Sequence, residues 1–567
     1  MTSLLSRLDQ EISGFLDYVA ASHLKSLGLI GLLACLIAFP GLNSLPVTDR
    51  DEARYVQASK QMMESGDYID IRNLDQPRWK KPVGIYWLQV TSAKILAKGA
   101  DSRIWAYRIP SALGIIAAAL LTYWALLPLM RTSSALMGGL VTASTATTAV
   151  EAHIAKTDAV LLAFCVLVFG SLVRLYMKRP TGFGWDTGLL WIGLGLGFLI
   201  KGPIILIPFL GALIWLCIAE RSLSLLKALS LPKGLLLFAL VAAPWYIAIG
   251  IKTDGAFFAE SLGKDLLGKV GQASEKHGGP LGYYLMTMWV TFWPWAPLML
   301  LSVPLVWPTR ASKEMRILVA WIIPCWIVFA LTTTKLPHYV LPVLPALAGL
   351  VGMSHAKYHN KGLRLVAAFL FIVGGIVAGV FALAPLPVFQ DQLPFWIILI
   401  GLLATALLIM GAVALGTGHP FAFAGLGVST LALLFSTLTL LTAPRTDALF
   451  ISPELYKEHS RFEVCSDQPV ISVGYHEMSL AFLAGTDTRF TDIDQAAQIL
   501  RDEESGQRVF LRMKEPEVTV ENLEAKSGKS LEILATTTGT NYNSGSEVTI
   551  HHLAIADDPA LQDCATN

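Results

Sequence analysis

Long apolar runs recur along most of this 567-residue chain, and they constrain its fold more than any other feature. A run of about 18 or more mostly apolar residues is long enough to cross a bilayer as a helix. We read thirteen candidate spans, at residues 27–45, 110–129, 133–150, 157–177, 187–200, 203–219, 234–251, 283–306, 316–332, 338–355, 364–384, 394–414 and 420–442. The fifth and sixth are shorter, and only Lys201-Gly202-Pro203 separates them. This pattern predicts a mainly α, polytopic membrane protein.

The composition supports this interpretation. Only 15% of the residues are charged, against about a quarter in ordinary soluble domains, and the mean hydropathy is +0.56. These values exclude a disordered chain and argue against a water-soluble globule. The 43 basic and 42 acidic residues leave a formal charge of +1. The chain therefore has no global positive field of the kind that nucleic-acid binding needs.

Positive charge marks the cytoplasmic loops of membrane proteins. In this chain the basic residues gather in alternate loops, at Arg131, Arg174, Lys178, Arg179, Arg221, Lys227, Lys233, Arg310, Lys313, Arg316, Lys357, Lys361 and Arg364. The pattern predicts a cytoplasmic N-terminus, and an odd number of spans then places the C-terminus outside. Because Asp9, Glu11 and Asp17 precede the first run, we expect an uncleaved signal-anchor rather than a cleaved signal peptide.

Two non-membrane segments of the chain then face the extracytoplasmic side. The first is the loop at 46–109, which is far longer than the usual helix connection of about two to eight residues. It contains a predicted helix from Asp51 to Ser65, closed by Gly66, and an amphipathic segment from Ile85 to Ala97. A loop of this length is usually functional or disordered, and its composition argues against disorder.

The second segment is polar and predicts a small α/β domain at 443–567, after a transmembrane domain at 1–442. Short strands and helices alternate there, at Val470–Gly474, His476–Ala484, Ile493–Glu503, Arg508–Met513, Val520–Ser527 and Glu547–His552. Cys465 and Cys564 lie in this segment and could form a disulfide if the compartment is oxidising. The sequence leaves that pairing open.

Charged residues at membrane depth mark a candidate site. Such groups are costly in lipid, and they usually line an aqueous cavity or a functional site. Here they occur at the predicted outer ends of distant segments, namely Asp51 and Glu52 after the first span, Asp158 at the fourth, Lys201 at the fifth, and Lys335 with His338 at the tenth. We expect them to converge on the outer face.

Each of these residues also has a purely structural interpretation. Thr48-Asp49-Arg50-Asp51 fits a helix capping box, in which Asp51 would only accept backbone N–H bonds. Asp158 could cap its own helix in the same way. Lys201 and Lys335 could extend to lipid headgroups, which is the common role of a single lysine at the end of a span.

Five short motifs follow one another along the chain between about residues 27 and 350. They read Asp51-Glu52-Ala53-Arg54-Tyr55, Lys81-Pro82-x-x-x-Tyr86-Trp87, Lys156-Thr157-Asp158, Gly197-Phe198-Leu199-Ile200-Lys201-Gly202-Pro203 and Lys335-Leu336-Pro337-His338-Tyr339-Val340-Leu341-Pro342. In this order they resemble the motifs of ArnT-type glycosyltransferases, the bacterial aminoarabinose transferases, which are related to protein O-mannosyltransferases in the GT-C superfamily. The resemblance implies a GT-C fold of about thirteen transmembrane helices with an outer C-terminal domain, in the bacterial inner membrane.

The resemblance also implies an activity. Such enzymes transfer a sugar, a pentose or a hexose, from a polyprenyl-phosphate carrier to lipid A or another envelope acceptor, with inversion expected. It implies these roles: catalysis by Asp51 and Asp158, binding of the carrier phosphate by Lys81, Lys201 and Lys335, and support of the site and the acceptor by Glu52, Tyr55, His338 and Tyr339. The implied partners are the lipid-linked donor, the acceptor and membrane lipids, and no nucleic acid.

Two positions differ from the family pattern. ArnT-type sequences often carry an acid before the lysine of the Lys-Pro motif and paired histidines before the eighth span, a combination that can hold zinc. Here Lys80 and the single His277 occupy these places. His277 is therefore only a weak candidate metal ligand, and we expect no structural zinc. The resemblance implies no certain cofactor, and it leaves a requirement for a divalent cation open.

Three other functions remain as alternatives. A transporter or flippase for lipid-linked sugars also collects intramembrane charge, but its coupling charges usually lie near the bilayer midplane and internal repeats are common. A protein O-glycosyltransferase would use the same kind of donor and differ in the acceptor. A receptor whose outer domain binds a ligand would leave the long first loop and its acidic and basic motifs without a role.

Overall fold

The structure is a computed structural model, and it describes residues 2–558 apart from 181, 262, 264–277, 355–359, 384–393, 462–467, 503–505, 514–516 and 542–544. Helices account for most of the chain up to residue 445, and a small sheet follows. The mainly α, polytopic architecture predicted from the apolar runs is confirmed. His277, Cys465 and Cys564 lie outside the described residues, so the predictions that rest on them stay predictions.

Within the described part of the chain, nine helices are long and apolar enough to cross a membrane when the segment 185–220 is counted once. Their bounds are Ile104–Leu126, Asp158–Lys178, Trp185–Glu220, Leu231–Lys252, Lys313–Leu331, Pro337–Ser354, Lys361–Leu383, Phe395–Thr417 and Pro420–Arg445. Shorter apolar helices are found at His23–Ala38, Thr132–Ala143, Ala146–Ala152, Tyr283–Thr291 and Ala296–Thr309. The chain is a multi-pass membrane protein.

Two predicted spans are interrupted. The run at 133–150 divides at Thr145, which begins a new helix through a capping box with Thr148. The run at 283–306 divides just before Pro294, because proline has no N–H to donate and its ring clashes with the preceding helical turn. Hydropathy is continuous through both positions, so it could not reveal either break.

The segment from Trp185 to Glu220 crosses the helix bundle twice rather than once. Its first helix ends at Lys201, where Gly202 has a φ of +62°. Lys201 contacts Asp158, whereas Glu220 contacts Tyr176, and these two partners lie at opposite ends of one helix. The two halves therefore run antiparallel, as the separation of the fifth and sixth predicted spans by Lys201-Gly202-Pro203 indicates.

Burial separates a central helix from peripheral ones. In the span Asp158–Lys178, 83% of the apolar window is buried inside the protein, against 28% for Phe395–Thr417. The peripheral helix exposes large apolar side chains such as Leu402 and Ile409. A helix that is apolar all round and lies at the edge of a bundle faces lipid. The geometry of a site is easier to hold on the central helix, because neighbours surround most of it.

The long first loop is a folded unit. Its first helix, Asp51–Ser65, begins and ends where the sequence predicts, and Gly66 closes it in the left-handed conformation with a φ of +72°. Two short antiparallel strands follow, β1 (Arg72–Asn73) and β2 (Gln76–Pro77). A second helix covers Gly84–Leu96. We call Asp51–Ser65 the loop helix.

The C-terminal region contains a five-stranded sheet in the order β4-β3-β5-β7-β6. The strands are β3 (Val470–Val473), β4 (Arg489–Thr491), β5 (Arg508–Arg512), β6 (Leu531–Asn541) and β7 (Ser546–Ile555). β3 pairs in parallel with β4 and β5, whereas β7 is antiparallel to both β5 and β6. The helices are Ile451–Ser460, Met478–Ala484, Ile493–Asp502 and Val520–Ser527. The predicted α/β content is confirmed, although β4 and β6 were not predicted.

The remaining helical segments are short or terminal. They cover Thr2–Ala20, Gly99–Asp101, Gly202–Ile205, Ser224–Ala228, Ala256–Phe258, Thr437–Thr442, Ala443–Arg445 and Asp447–Leu449. The first of them packs on the last span, because the Asp9 carboxylate accepts the backbone N–H groups of Phe421 and Ala422 at 2.8 and 3.0 Å. Asp9 thus caps that span, since a carboxylate is favourable at a helix N-terminus.

Candidate active site

A polar cavity of about 280 Å³ lies between the first loop and one end of the central helices. The loop helix, the residues around Asp158 and Lys201, and the segment 329–342 form its walls. Its charged and titratable lining residues are Asp51, Arg54, Tyr55, Arg78, Lys80, Lys81, Lys156, Asp158, Lys201, His338 and Tyr339. The structure thus brings together seven residues that the sequence analysis named: Asp51, Tyr55, Lys81, Asp158, Lys201, His338 and Tyr339.

Asp51 is the first residue of the loop helix, and its side chain is exposed to the cavity. Among the described residues, its carboxylate accepts no hydrogen bond. The capping role that the sequence allows for Asp51 falls to Glu52 instead, which accepts from both the backbone N–H and the hydroxyl of Thr48 at 2.9 Å. Asp51 is therefore left available to a ligand in the cavity.

Glu52 does not line the cavity but lies behind it, with 1% of its surface exposed. Its two carboxylate oxygens accept from Nε and Nη2 of Arg108, both at 2.8 Å, and one also accepts the Ala155 N–H at 2.8 Å. Burial alone would raise the pKa of Glu52, but the Arg108 guanidinium and the backbone donors lower it below its usual value. Glu52 thus joins the loop helix to the chain just before Asp158.

Arg108 was not identified from the sequence. Its side chain is fully buried, and it also donates to the carbonyl oxygens of Leu42, Leu45 and Pro46. An arginine in the first turns of an apolar span was the available clue, because an intramembrane charge needs a partner. The fork of the guanidinium suits it to hold a carboxylate and several carbonyl groups at once.

Asp158 begins the central helix and is paired on both oxygens. Oδ1 lies 2.6 Å from Nζ of Lys201, and Oδ2 lies 3.8 Å from Nζ of Lys156. Lys156 in turn lies 3.0 Å from the Glu151 carboxylate. The result is a buried cluster of two acids and two bases, in which Asp158 contacts both lysines. Glu151 was missed, and the clue was again a charge at membrane depth.

Tyr55 and Arg78 form the wall beside Asp51. Tyr55 lies one helical turn beyond Asp51, and the Arg78 guanidinium carbon lies 4.9 Å from the centre of its ring. Burial raises the pKa of Tyr55, so its hydroxyl stays protonated and able to donate. Arg78 is 8% exposed, and its Nε has no partner among the described residues. Arg78 was missed, although Arg78-Trp79-Lys80-Lys81 is visibly cationic.

The segment after residue 334 contributes His338 and Tyr339. His338 lies 3.8 Å from Glu151 and 3.9 Å from Asp158, and the Lys201 ammonium lies 5.7 Å from the centre of the Tyr339 ring. Lys335 is different. It is absent from the cavity lining, and its Nζ donates to the carbonyl oxygen of Thr332 at 2.6 Å. The structure therefore does not bring Lys335 together with Lys81 and Lys201.

An apolar groove of about 320 Å³ adjoins the cavity. Its apolar lining includes Phe198, Ile204, Phe238, Ala242, Tyr246, Phe257 and Phe258. Lys80, Lys81 and Lys201 line both spaces, so three cationic side chains stand where the polar cavity meets the apolar groove. This arrangement suits an amphiphile whose anionic head enters the cavity while its hydrocarbon chain lies in the groove.

A metal site needs several ligating side chains close together. Across the part of the chain that the structure describes, no group of three or more His, Cys, Asp or Glu side chains is arranged to hold a metal ion. His277 lies outside this part. The absence of a structural zinc stays a prediction. A requirement for a divalent cation stays open.

Comparison with known proteins supports the resemblance. Residues 30–255 match the family model described as dolichyl-phosphate-mannose-protein mannosyltransferase. The undecaprenyl phosphate-alpha-4-amino-4-deoxy-L-arabinose arabinosyl transferase of Erwinia tasmaniensis is 26% identical over 363 residues, which are 59% of this chain and 61% of that protein. The transferase of the same name from Pectobacterium carotovorum is 26% identical over 57% of this chain and 58% of its own length. The chain thus spans about 60% of the length of these relatives.

The fold is shared more widely than the sequence. The crystal structure of ArnT from Cupriavidus metallidurans bound to undecaprenyl phosphate aligns with a TM-score of 0.72 over 93% of this chain and 98% of that chain, at 19% identity. The same protein in the apo state gives a TM-score of 0.70. The predicted fold, a GT-C type membrane bundle with a small C-terminal α/β region, is confirmed, and so is the resemblance to ArnT-type transferases.

Proposed function

We propose that this ArnT-like chain is an integral-membrane glycosyltransferase that moves a sugar from a polyprenyl-phosphate carrier to an acceptor in the bacterial envelope. The observation that carries the proposal is the junction where Lys80, Lys81 and Lys201 stand between a polar cavity and an apolar groove. A polyprenyl phosphate has the same division, because a phosphate head joins a long hydrocarbon chain. The names of the curated relatives, and the undecaprenyl phosphate bound to the Cupriavidus ArnT, support this class of donor.

The likeness to those relatives suggests the substrates. The donor would be undecaprenyl phosphate carrying 4-amino-4-deoxy-arabinose, as the relatives are named. The acceptor would be lipid A or another component of the envelope. The apolar groove would hold part of the carrier chain, since its lining is almost entirely aromatic and aliphatic.

The transfer is a displacement at the anomeric carbon of the sugar. A bond forms between an acceptor oxygen and that carbon, while the bond from the carbon to the phosphate oxygen breaks, so the configuration inverts. The polyprenyl phosphate leaves with the electron pair. Lys81 and Lys201 are placed at the junction to stabilise the charge that develops on this phosphate, as preorganised cations do in water-excluded sites.

Asp51 is the group placed to act on the acceptor. A hydroxyl acceptor must lose a proton, and Asp51 can take it as a general base because none of the described residues donates a hydrogen bond to its carboxylate. A phosphate acceptor is already anionic and needs only to be positioned. Asp158 acts differently, because it orients Lys201 through the contact at 2.6 Å.

We also propose an orientation and a division of the chain. The cavity would open to the periplasm, with the N-terminus in the cytoplasm, residues 1–442 forming the transmembrane domain and residues 443–567 a periplasmic domain. The end of the central helix opposite Asp158 supports this, because Arg179 and Arg316 gather there around Glu220. Cationic residues are typical of the cytoplasmic side.

Reconstitution tests the proposal directly. The purified full-length protein is reconstituted in lipid vesicles with synthetic undecaprenyl phosphate-aminoarabinose and lipid A. The mass of the acceptor is then measured by mass spectrometry. We expect its mass to rise by one sugar, with release of undecaprenyl phosphate. A flippase would move the donor across the bilayer and leave every acceptor unchanged. No mass change in lipid or protein acceptors, in vesicles where the donor is accessible, would contradict a transferase.

A further inference from the structure

Arg78 is a buried arginine that lines the polar cavity and has no acid to pair with its charge. It is 8% exposed, and its Nε has no hydrogen-bond partner among the described residues. No ion pair within the described part of the chain includes its guanidinium. A buried charge without a partner is costly, so such groups usually bind a counter-ion or a ligand. The position of Arg78 therefore indicates a binding site for an anion.

The first loop holds Arg78 in a fixed place. The hairpin of β1 and β2 is attached to the loop helix through Gln61, whose side-chain amide donates to the Leu74 carbonyl oxygen and accepts the Leu74 N–H, both at 2.8 Å. The backbone N–H of Arg78 donates to the carbonyl oxygen of Ile71 at 2.8 Å. Its guanidinium carbon lies 4.9 Å from the centre of the Tyr55 ring. A charged group that is held in this way is preorganised for a ligand.

Arg78 lines the cavity but not the apolar groove. Asp51 shares this position, whereas Lys81 and Lys201 line both spaces. In the proposed function the hydrocarbon chain of the carrier occupies the groove, so its phosphate lies at the junction beside these lysines. Arg78 and Asp51 then face the part of the cavity that is left for the sugar and the acceptor.

The positive charge of the cavity exceeds what the carrier phosphate needs. Apart from the lysines assigned to that phosphate and the pairs around Asp158, the lining includes three cations, Arg54, Arg78 and Lys80. Among the described residues that line this part of the cavity, Asp51 is the single acid. A cavity with an excess of one sign of charge concentrates ligands of the opposite sign. The excess therefore favours substrates that carry an anion beyond the carrier phosphate.

We propose that Arg78 forms a second oxyanion site, separate from the carrier phosphate, which binds an anionic group of the acceptor or of the transferred sugar. The inference rests on the proposed function. A guanidinium can donate two parallel N–H bonds to a carboxylate or a phosphate, which fixes the orientation of the group as well as its position. Arg78 is then a specificity-determining residue of the transferase.

The oxyanion can come from two sources. A phosphate group on the acceptor is one, and a carboxylate on the transferred sugar is the other. Aminoarabinose carries an amine and no acid, so with that donor the oxyanion belongs to the acceptor. A donor that carries a uronic acid would place it on the sugar. Kinetics with the two kinds of substrate distinguish these sources.

The first test compares Arg78→Gln and Arg78→Lys in the full-length protein in lipid vesicles. Arg78→Gln removes the charge, whereas Arg78→Lys keeps a point charge without the fork. If the acceptor supplies the oxyanion, Arg78→Gln should raise KM for phosphorylated lipid A by about 10- to 100-fold, as for loss of a hydrogen bond to a charged group. KM for the aminoarabinose donor should stay within about 2-fold, a margin well below that loss. Arg78→Lys should recover part of it.

A second pair of donors tests the sugar. The protein is given undecaprenyl phosphate that carries either a hexuronic acid or the matching neutral hexose. If the sugar supplies the oxyanion, the wild type should prefer the uronic acid by about 10-fold or more in kcat/KM, and Arg78→Gln should lose that preference. Wild-type kinetics of Arg78→Gln toward both phosphorylated lipid A and the uronic acid donor would overturn the proposal.

The matched control is Arg72→Gln. Arg72 is exposed on β1 of the same hairpin, pairs with Asp70 and does not line the cavity. Its kinetics should match those of the wild type. Without substrate, Arg78→Gln should melt at or above the wild-type temperature, because it removes an unpaired buried charge. A clear decrease would mean that Arg78 stabilises the fold through Tyr55, and the proposal would be wrong.

Binding can also be measured without transfer. Phosphorylated lipid A, dephosphorylated lipid A and the two donors are each added to the purified protein in detergent, and the shift in melting temperature is recorded. At least one anionic lipid should stabilise the wild type more than its neutral counterpart does, and the difference should disappear in Arg78→Gln. Equal shifts in both proteins would overturn the second oxyanion site even if transfer is observed. If the wild type transfers no sugar but the shifts differ as expected, the proposed function fails while the site stands.

Discussion

Asp51 and Asp158 line the same cavity but differ in their contacts with the rest of the protein. The Asp51 side chain is exposed to the cavity and makes no hydrogen bond within the described residues, whereas that of Asp158 is 9% exposed and contacts Lys201 at 2.6 Å and Lys156 at 3.8 Å. A carboxylate bound to two ammonium groups is poorly able to accept a proton, because protonation would leave buried cations unpaired. An unpaired carboxylate can accept one. From this difference we propose that Asp51 reacts with the acceptor and that Asp158 organises the site.

The largest effect is expected at Asp51. Asp51→Asn keeps the size of the side chain and removes its charge and basicity, so transfer to a hydroxyl acceptor should fall by about 1,000-fold, within the range for loss of a general base. Initial rates of sugar transfer in vesicles give the measurement. The melting temperature should stay close to the wild-type value, since Asp51 makes no hydrogen bond with the described residues.

The first loop offers a control for Asp51→Asn. Asp75 is exposed at the turn between β1 and β2 and does not line the cavity. Asp75→Asn should transfer sugar at the wild-type rate. If Asp51→Asn keeps full activity, the proposed difference in function between Asp51 and Asp158 is wrong. If its melting temperature falls, Asp51 has a structural role.

Substitution at Asp158 should act first on stability. Asp158→Asn leaves the ammonium groups of Lys201 and Lys156 without their shared partner, and breaking a buried ion pair by removing one side costs about 3–5 kcal/mol. Thermal unfolding in detergent should therefore begin at a lower temperature. The double variant Asp158→Asn/Lys201→Met removes a charge on each side and should regain part of that stability while remaining inactive. If the single variant is as stable as the wild type, the ion pair is not structural.

Two lysines sharpen the contrast between residues inside and outside the cavity. Lys81 lines both the cavity and the groove, so Lys81→Ala should lower transfer by about 100-fold, as expected for loss of one group that stabilises developing charge. Lys335 donates to a backbone carbonyl instead, so Lys335→Ala should stay within a few-fold of the wild type in kcat. Equal losses in the two variants would show that Lys335 reaches the carrier phosphate during the reaction.

Glu52, the neighbour of Asp51, makes the stability depend on pH. The pKa of Glu52 is lowered in the folded protein, so its ion pair with Arg108 contributes stability above the ordinary glutamate pKa of 4.5 and loses it as the pH falls through the lower folded value. The melting temperature of the wild type should drop in that acid range. In Glu52→Gln it should be lower at pH 7 and vary less with acid, and an identical pH profile would contradict the assignment.

Several features of the fold follow from local sequence and were predicted from it. The loop helix begins at Asp51 and ends at Ser65, before Gly66, as expected, because a favourable first turn and a glycine at the C-cap are signals within a few residues. The division at Lys201-Gly202-Pro203 was visible for the same reason. The breaks at Thr145 and Pro294 were not predicted, because both lie inside runs whose hydropathy does not change.

The sequence predicts which residues belong to the candidate site better than it predicts the contacts between them. The acids and lysines of the motifs were predicted to lie at the outer ends of their spans, on one face of the bundle. Seven of the named residues do line the cavity. Arg78 and Arg108 were missed, although both are charged residues in or beside apolar segments. Nothing local distinguishes a charge that binds a ligand from one that binds its own backbone, and Lys335 is the clearest example.

The sequence by itself determined that this chain is a multi-pass membrane protein with a folded first loop and charged groups collected at one end, since hydropathy and charge are properties of short windows. Only the tertiary structure decided which acid accepts no hydrogen bond from the described residues. Asp158 meets Lys201 across 43 residues, and Glu52 meets Arg108 across 56. Such pairings depend on how distant helices pack, where a few ångströms separate an ion pair from an open carboxylate, and no local pattern encodes that distance.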